Sequence, residues 1–197
     1  MNSALSGILS LISVALWSRL CSAVPLAEFS GDPGFQEFIR KNREFVYKIK
    51  SDVTALKNLV HKDFKLGSDD ELSMVQGILG INQVDHSHCP KNPCDTEGCF
   101  NQIQTGLHTY HAYLSYIAQI LPSYAGQVAA LQLENTNLSS NIQLQMEESG
   151  MSTVTYPQAE NQLSFPETQR VMGSYLVLRN LQKFMEMTFR ALRHCSA

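Results

Sequence analysis

Hydrophobic positions recur with a helical period in four long segments of the chain, and the alternation that strands require is weak. The first segment runs from about Phe35 to Val60. Its stripe is Phe35, Phe38, Ile39, Phe45, Val46, Ile49, Val53, Leu56 and Val60, and Pro33-Gly34 marks its start. The second carries Phe100, Ile103, Leu107, Tyr110, Leu114, Ile117 and Leu121 at steps of three and four. Asp95, Thr96 or Glu97 supplies its N-terminal cap region, and Pro122 stops it. The third runs from Ser123 or Tyr124 to Glu148 on a stripe of Val128, Leu131, Leu138, Ile142 and Met146. Its middle, Asn135 to Asn141, is rich in Asn and Ser, which are poor helix formers, and Gly150 is a natural stop. In the fourth, Pro166 suits the first helical turn, with Glu167 favouring the positive end of the dipole. Val171, Met172, Tyr175, Leu178, Leu181, Met185, Phe189 and Leu192 line its core face, and Arg190, Arg193 and His194 place cations in its last turn.

The connections decide the topology. Little more than Pro122-Ser123 separates the second and third segments, so those two are antiparallel. His61–Gly98 and Met151–Phe165 are each long enough to travel the height of a bundle, at about 3.3 Å per extended residue. Long, short, long is the pattern of an all-α, up-up-down-down four-helix bundle with two crossover loops. The first crossover is expected to hold a short helix around Asp70 to Leu79.

Composition narrows the class. The 197 residues are 44% hydrophobic and 17% charged with a formal charge of -3, which suits one domain with a real core. No basic patch of the kind a nucleic-acid binder needs is visible. Leu5 to Trp17 is apolar and short for a membrane span, and Cys21-Ser22-Ala23 follows with small residues, so residues 1–23 read as a secretory signal peptide and 24–197 as the mature domain. Cleavage removes Cys21 and leaves Cys89, Cys94, Cys99 and Cys195; an even count in an exported chain favours disulfides, in any of three pairings. No second apolar stretch is long enough for a bilayer, so no membrane insertion is expected after cleavage.

Several pieces then recur together in order. Lys65-Leu66 precedes Asp70-Glu71-Leu72 and Leu79-Gly80-Ile81; Cys89-Pro90 leads to Gly98-Cys99, Gln102, Gly106-Leu107 and Tyr110. Gln145-Met146-Glu147-Glu148-Ser149-Gly150-Met151 closes the third segment, and Leu181-Gln182-Lys183-Phe184 with Arg190-Ala191-Leu192-Arg193-His194 closes the fourth. Over about Phe35 to His194 the chain resembles the granulocyte colony-stimulating factor and myelomonocytic growth factor family, in the interleukin-6 group of long-chain helical cytokines. The resemblance implies a secreted growth factor, monomeric when free, that gathers class I cytokine receptor ectodomains of the granulocyte colony-stimulating factor receptor kind in a 2:2 complex. It also implies two receptor surfaces. On the first helix, Lys41, Glu44, Lys48 and Asp52 match charged positions of the main surface, and Glu134 matches an acid on the third. Spacing places the four within about 80° of one another, and it also allows an exposed ladder of Glu44–Lys48 and Lys48–Asp52 pairs. Phe45 beside them suits either a contact or the core. A second expected acid is Asn137 here, the start of the glycosylation sequon Asn137-Leu138-Ser139. Glu71, flanked by Asp69-Asp70, matches the acid of the other surface, and an aromatic expected near the fourth helix is Thr168. Cys89 and Cys99 match one family disulfide. The positions of the other hold His61 and Gly67, and Cys94 and Cys195 are extra; a Cys94–Cys195 bridge joins regions that the topology brings to one end.

Two further readings compete with this one. A helical-bundle enzyme would need motifs that are absent, among them a phosphate-binding Gly-rich loop, G-x-S-x-G, H-E-x-x-H or paired Glu-x-x-His, and no cofactor is expected. Another interleukin-6-like cytokine with a different receptor fits the pattern but lacks the Gly98-Cys99 and Leu192-Arg193-His194 matches. His86, His88, Cys89, Cys94 and Cys99 have irregular spacing for zinc, and His108 and His111 read as surface or boundary residues.

Overall fold

The structure, a computed structural model, describes residues 31–81, 84, 86–89, 95–154 and 164–195. The signal-peptide segment and Cys94 lie outside the described residues. Among the described residues five α-helices follow in order: α1 (Pro33–Asp63), α2 (Asp69–Ile78), α3 (Thr96–Ile120), α4 (Ala125–Glu148) and α5 (Arg170–His194). Single 3₁₀ turns at Pro122–Tyr124 and Glu167–Gln169 lead into α4 and α5. The fourth helix therefore starts later than its sequence suggests. Pro166 sits ahead of a 3₁₀ turn closed by Gln169 N–H on its carbonyl at 2.8 Å, not inside the first α-turn.

Side-chain contacts fix the directions. Phe35 stacks near Phe100, with ring centroids 6.3 Å apart, so α1 and α3 start at one end. Asn42 meets Asn141 and Lys48 meets Glu134, so α4 runs against α1. Arg43 lies over Phe189, Lys50 pairs with Glu186, and His61 packs on Tyr175, so α5 also runs against α1. Two helices up and two down is the expected topology.

On α1 the buried positions are Phe35, Ile39, Asn42, Val46, Ile49, Val53, Leu56 and Val60, alternating steps of four and three. That rhythm keeps one seam on a helical face, and burial of each large apolar side chain contributes about 1.5–3 kcal/mol. Asp32 caps the helix, accepting from the Gly34 and Phe35 amides at 3.1 and 3.2 Å. Asn42 is a polar member of the seam. Its amide donates to Phe38 O at 2.9 Å and its oxygen accepts from Asn141 at 3.1 Å, so the buried group is satisfied.

The Asn- and Ser-rich middle of α4 is continuous helix because tertiary bonds compensate its weak propensity. Asn135 donates to Leu107 O at 2.7 Å, Gln104 and Ser139 exchange two bonds at 2.7 and 2.6 Å, and Gln132 donates to Ser115 at 2.7 Å. The α3–α4 seam is polar where the α1 face is apolar.

The core face of α5 is wider than a single stripe. Every residue from Gly173 to Leu181 is buried, and Phe184 joins the core, while Val171, Met172 and Phe189 are only half-buried. The cause is α2, which covers the outer side of α5: Leu72 is fully buried and Arg179 donates to Gln76 at 2.7 Å. Gly106 lets α3 close on this region, since a Cβ there would overlap the Phe184 ring.

Cys89 and Cys99 form a disulfide with Cα atoms 4.4 Å apart, tying the crossover to the first turn of α3. Those sulfurs are bonded to each other, and His88 Nδ1 lies 3.1 Å from the Asp95 carboxylate. His61 and Gly67, at the positions of the absent family disulfide, still touch: the imidazole Nε2 lies 3.3 Å from Gly67 O. Cys195, at the end of α5, is buried and disulfide-bonded.

Candidate receptor-binding surfaces

Lys41, Glu44, Lys48 and Asp52 lie on the solvent side of α1, beside the buried seam, and all are exposed. The ladder among them differs from the one the spacing suggests. Glu44 pairs with Arg40 at 2.8 Å and not with Lys48; Arg40 also meets Glu37 at 2.7 Å, and Lys41 reaches Glu37 at 3.4 Å. Arg40 wins because its two-pronged guanidinium serves both acids at once. Its hydrogen bonds hold the Glu37 carboxyl down at about 2. Sequence reasoning missed Glu37 and Arg40, although their i,i+3 and i,i+4 spacing was readable.

Lys48 does pair with Asp52, at 2.8 Å. It also reaches across to the Glu134 carboxylate on α4. Its hydrogen bonds, to Asp52 first and then to Glu134, push its pKa well above the ordinary lysine range. The bridge gathers the expected residues of α1 and α4 into one patch. Glu134 is the least exposed of them, its side chain only 15% accessible, and its second carboxylate oxygen is buried without a hydrogen-bond partner. Phe45 is half-buried against the core, so it belongs chiefly to packing.

The patch carries apolar groups that spacing did not reveal. On α4, Leu133 is 62% exposed and Leu144 57%, while Tyr47 of α1, 64% exposed, borders the charges on their other side, its ring 6.4 Å from that of Phe189 on α5. Leu133 precedes Asn137 by four residues and Leu144 follows it by seven, so all three share the outward face of α4. Asn137 itself is exposed.

The other surface is built on α2. Glu71 is the third helical residue behind Ser68 in a capping box: Ser68 N–H donates to the Glu71 carboxylate at 3.0 Å, and the Glu71 amide lies 3.5 Å from Ser68 Oγ. Asp70 and Thr168 are exposed. Ser68 and Tyr175 line one groove with His61, which brings the start of α2 beside the early part of α5. Met74 and Ile78 stand 74% and 75% exposed on the stripe of Glu71. They are the apolar counterparts that sequence reasoning left out.

Among the described residues no group of three His, Cys, Asp or Glu side chains is placed to hold a metal ion. No described helix is long and apolar enough to cross a membrane.

Four long helices in this topology, with charged and apolar side chains presented on their outer faces, define the class of long-chain helical cytokines. The family model for granulocyte colony-stimulating factor matches residues 46–193. Myelomonocytic growth factor of Gallus gallus is 44% identical over 191 residues, covering 94% of each chain. Granulocyte colony-stimulating factor of Felis catus is 37% identical, covering 91% of this chain and 92% of its own, and that of Homo sapiens is 34% identical, covering 91% and 87%. This chain belongs to the granulocyte colony-stimulating factor family. Its named relatives are growth and colony-stimulating factors, signalling proteins and not enzymes.

Proposed function

We propose that this chain is a secreted cytokine that binds and assembles a class I cytokine receptor ectodomain, of the granulocyte colony-stimulating factor receptor kind, to drive granulocyte-lineage proliferation and differentiation. The observation that carries the reading is the Lys48–Glu134 bridge, which joins the exposed α1 charges to the largely buried α4 acid in one patch on a family scaffold. Lys41, Glu44, Lys48, Asp52 and Glu134 form the main contact in this reading, with Leu133 and Leu144 as apolar anchors. Charged rims steer the encounter, and buried aromatic or aliphatic groups hold it. Glu71, with Met74 and Ile78, forms the second contact, and two ligands with two receptors satisfy both. The free protein is a monomer, exported after removal of residues 1–23. With Cys89 and Cys99 joined, Cys94 is the mature-chain partner for Cys195; non-reducing peptide mapping that finds Cys94 free removes that pairing.

Titration calorimetry of residues 24–197 against the purified granulocyte colony-stimulating factor receptor ectodomain tests the function. Saturable sub-micromolar binding at a 1:1 ratio supports it. A folded, helical sample that does not bind moves the partner to another receptor of the long-chain cytokine group.

A further inference from the structure

We infer that Asn137 carries an N-linked glycan and that this glycan gates the α1–α4 face. The inference rests on the receptor reading of that face given above. Asn137-Leu138-Ser139 is an acceptor tripeptide in a chain read as exported. Within the folded helix its three side chains part company. Asn137 faces water, Leu138 is fully buried, and Ser139 donates to Gln104 Oε1 at 2.6 Å while its carbonyl accepts from Gln104 at 2.7 Å. The fold thus exposes the side chain that would carry a sugar and occupies the hydroxyl that makes the tripeptide an acceptor. Transfer therefore precedes folding. The Asn137 side-chain nitrogen forms a bond to the anomeric carbon of a lipid-diphosphate-linked oligosaccharide, the sugar–phosphate bond breaks, the lipid diphosphate departs with the bonding pair, and the amide loses one proton. Once α4 has packed on α3, each molecule keeps the state with which it was made.

Position turns that state into a gate. Asn137 follows Glu134 by three residues, which is about 60° around the helix and about 4.5 Å along it. Leu133 and Leu144, the exposed apolar side chains of α4, lie on the same outward face. An oligosaccharide rooted between them keeps that face wet, and a binding centre needs water excluded to be strong. Burial of the α4 backbone is untouched, because Asn137 points away from the core, so both forms fold alike. Two populations follow: an unmodified form that engages receptor through both surfaces, and a glycosylated form left chiefly with the Glu71 surface.

The test uses the full chain secreted from animal cells, with peptide mass spectrometry at Asn137 and binding to the granulocyte colony-stimulating factor receptor ectodomain. The expected result is a glycan mass on the Asn137 peptide and an Asn137→Gln protein that binds at least about tenfold more tightly than the glycosylated chain, with an unchanged helical spectrum. An unmodified Asn137 overturns the inference, and so does a glycosylated chain that binds as tightly as Asn137→Gln. Lys48→Ala in the Asn137→Gln background separates that second failure from failure of the receptor reading. Affinity lost on Lys48→Ala leaves the face as a contact and removes the gate alone; affinity unchanged removes both.

Discussion

The α1–α4 face and the tip of α2 both present carboxylates to solvent, yet they hold them by different bonds. On α1, Glu44 is held among the described residues only by Arg40, an exposed partner that Glu37 also engages. On α2, Glu71 closes the helix itself through the Ser68 amide. Surface ion pairs of the first kind contribute about 0–1 kcal/mol, whereas a helix cap contributes about 0.5–2 kcal/mol. Glu44 is therefore nearly free to serve a partner, while in the proposed reading Glu71 would serve the fold and a partner with one side chain. A receptor residue is easiest to identify by mutation where its fold role is smallest, which makes α1 the cleaner place to test the proposed function and α2 the harder one.

The largest expected effect removes the scaffold under both surfaces at once. Leu107 is fully buried on α3, against the polar seam with α4. Leu107→Ala leaves a cavity and costs about 2–5 kcal/mol of stability, read as a fall in the thermal midpoint and in the denaturant midpoint. Both receptor contacts weaken in parallel as the folded fraction drops. A Leu107→Ala protein that loses one contact alone at full stability contradicts a shared scaffold.

The next effect isolates the α1 face. Glu44→Ala is expected to weaken receptor binding by more than about 1 kcal/mol while the thermal midpoint stays nearly unchanged. Calorimetry of binding beside differential scanning calorimetry of the free protein checks both halves. Equal loss of fold and affinity assigns Glu44 to the helix and not to the receptor.

Glu71 needs a pair of variants because its two roles share a carboxylate. Ser68→Ala removes the side-chain half of the capping box and costs about 0.5–2 kcal/mol of local stability, visible as faster amide hydrogen exchange in α2. Glu71→Gln keeps a residue that completes a capping box but removes the charge. If the charge serves the receptor, Glu71→Gln loses affinity with α2 protection intact. If the cap alone matters, Ser68→Ala is the variant that loses affinity.

What was legible follows the same division between local and tertiary causes. The α1 seam and the α3 stripe were readable because apolar side chains at steps of three and four have only one way to hide on a helix. The direction of every long helix followed from loop length. Asn42 was absent from the α1 stripe, since nothing local distinguishes a buried Asn from an exposed one; its partner Asn141 lies 99 residues away. The weak middle of α4 became sound helix through Gln104, Leu107 and Ser115, which no window on α4 contains. The all-round burial of α5 depended on where α2 docks. At the candidate site, the charged residues of α1 were proposed from resemblance, but Glu44's ion-pair partner and the exposure of Leu133, Leu144, Met74 and Ile78 required the packed molecule.

The smallest expected effect tests how the α1 charges are held. The Glu37 carboxyl sits at about 2 in the folded chain against an ordinary 4.5, chiefly through its hydrogen bonds to Arg40. A carboxyl with a lowered folded pKa stabilises the fold above its unfolded value, and that contribution fades as pH falls from about 4.5 toward about 2. Glu37 is exposed, so the effect is a modest shift of the thermal midpoint. Glu37→Gln is expected to melt slightly below the parent at pH 6 and to match it at pH 2, with the difference shrinking at high salt. The variant also leaves Arg40 with Glu44 alone, tightening that pair in competition with a receptor. A small loss of affinity at neutral pH, reversed by Arg40→Ala, then identifies Arg40 as the side chain that determines how available Glu44 is. A midpoint difference that persists unchanged at pH 2 means that Glu37 contributes through packing along the helix and not through its charge.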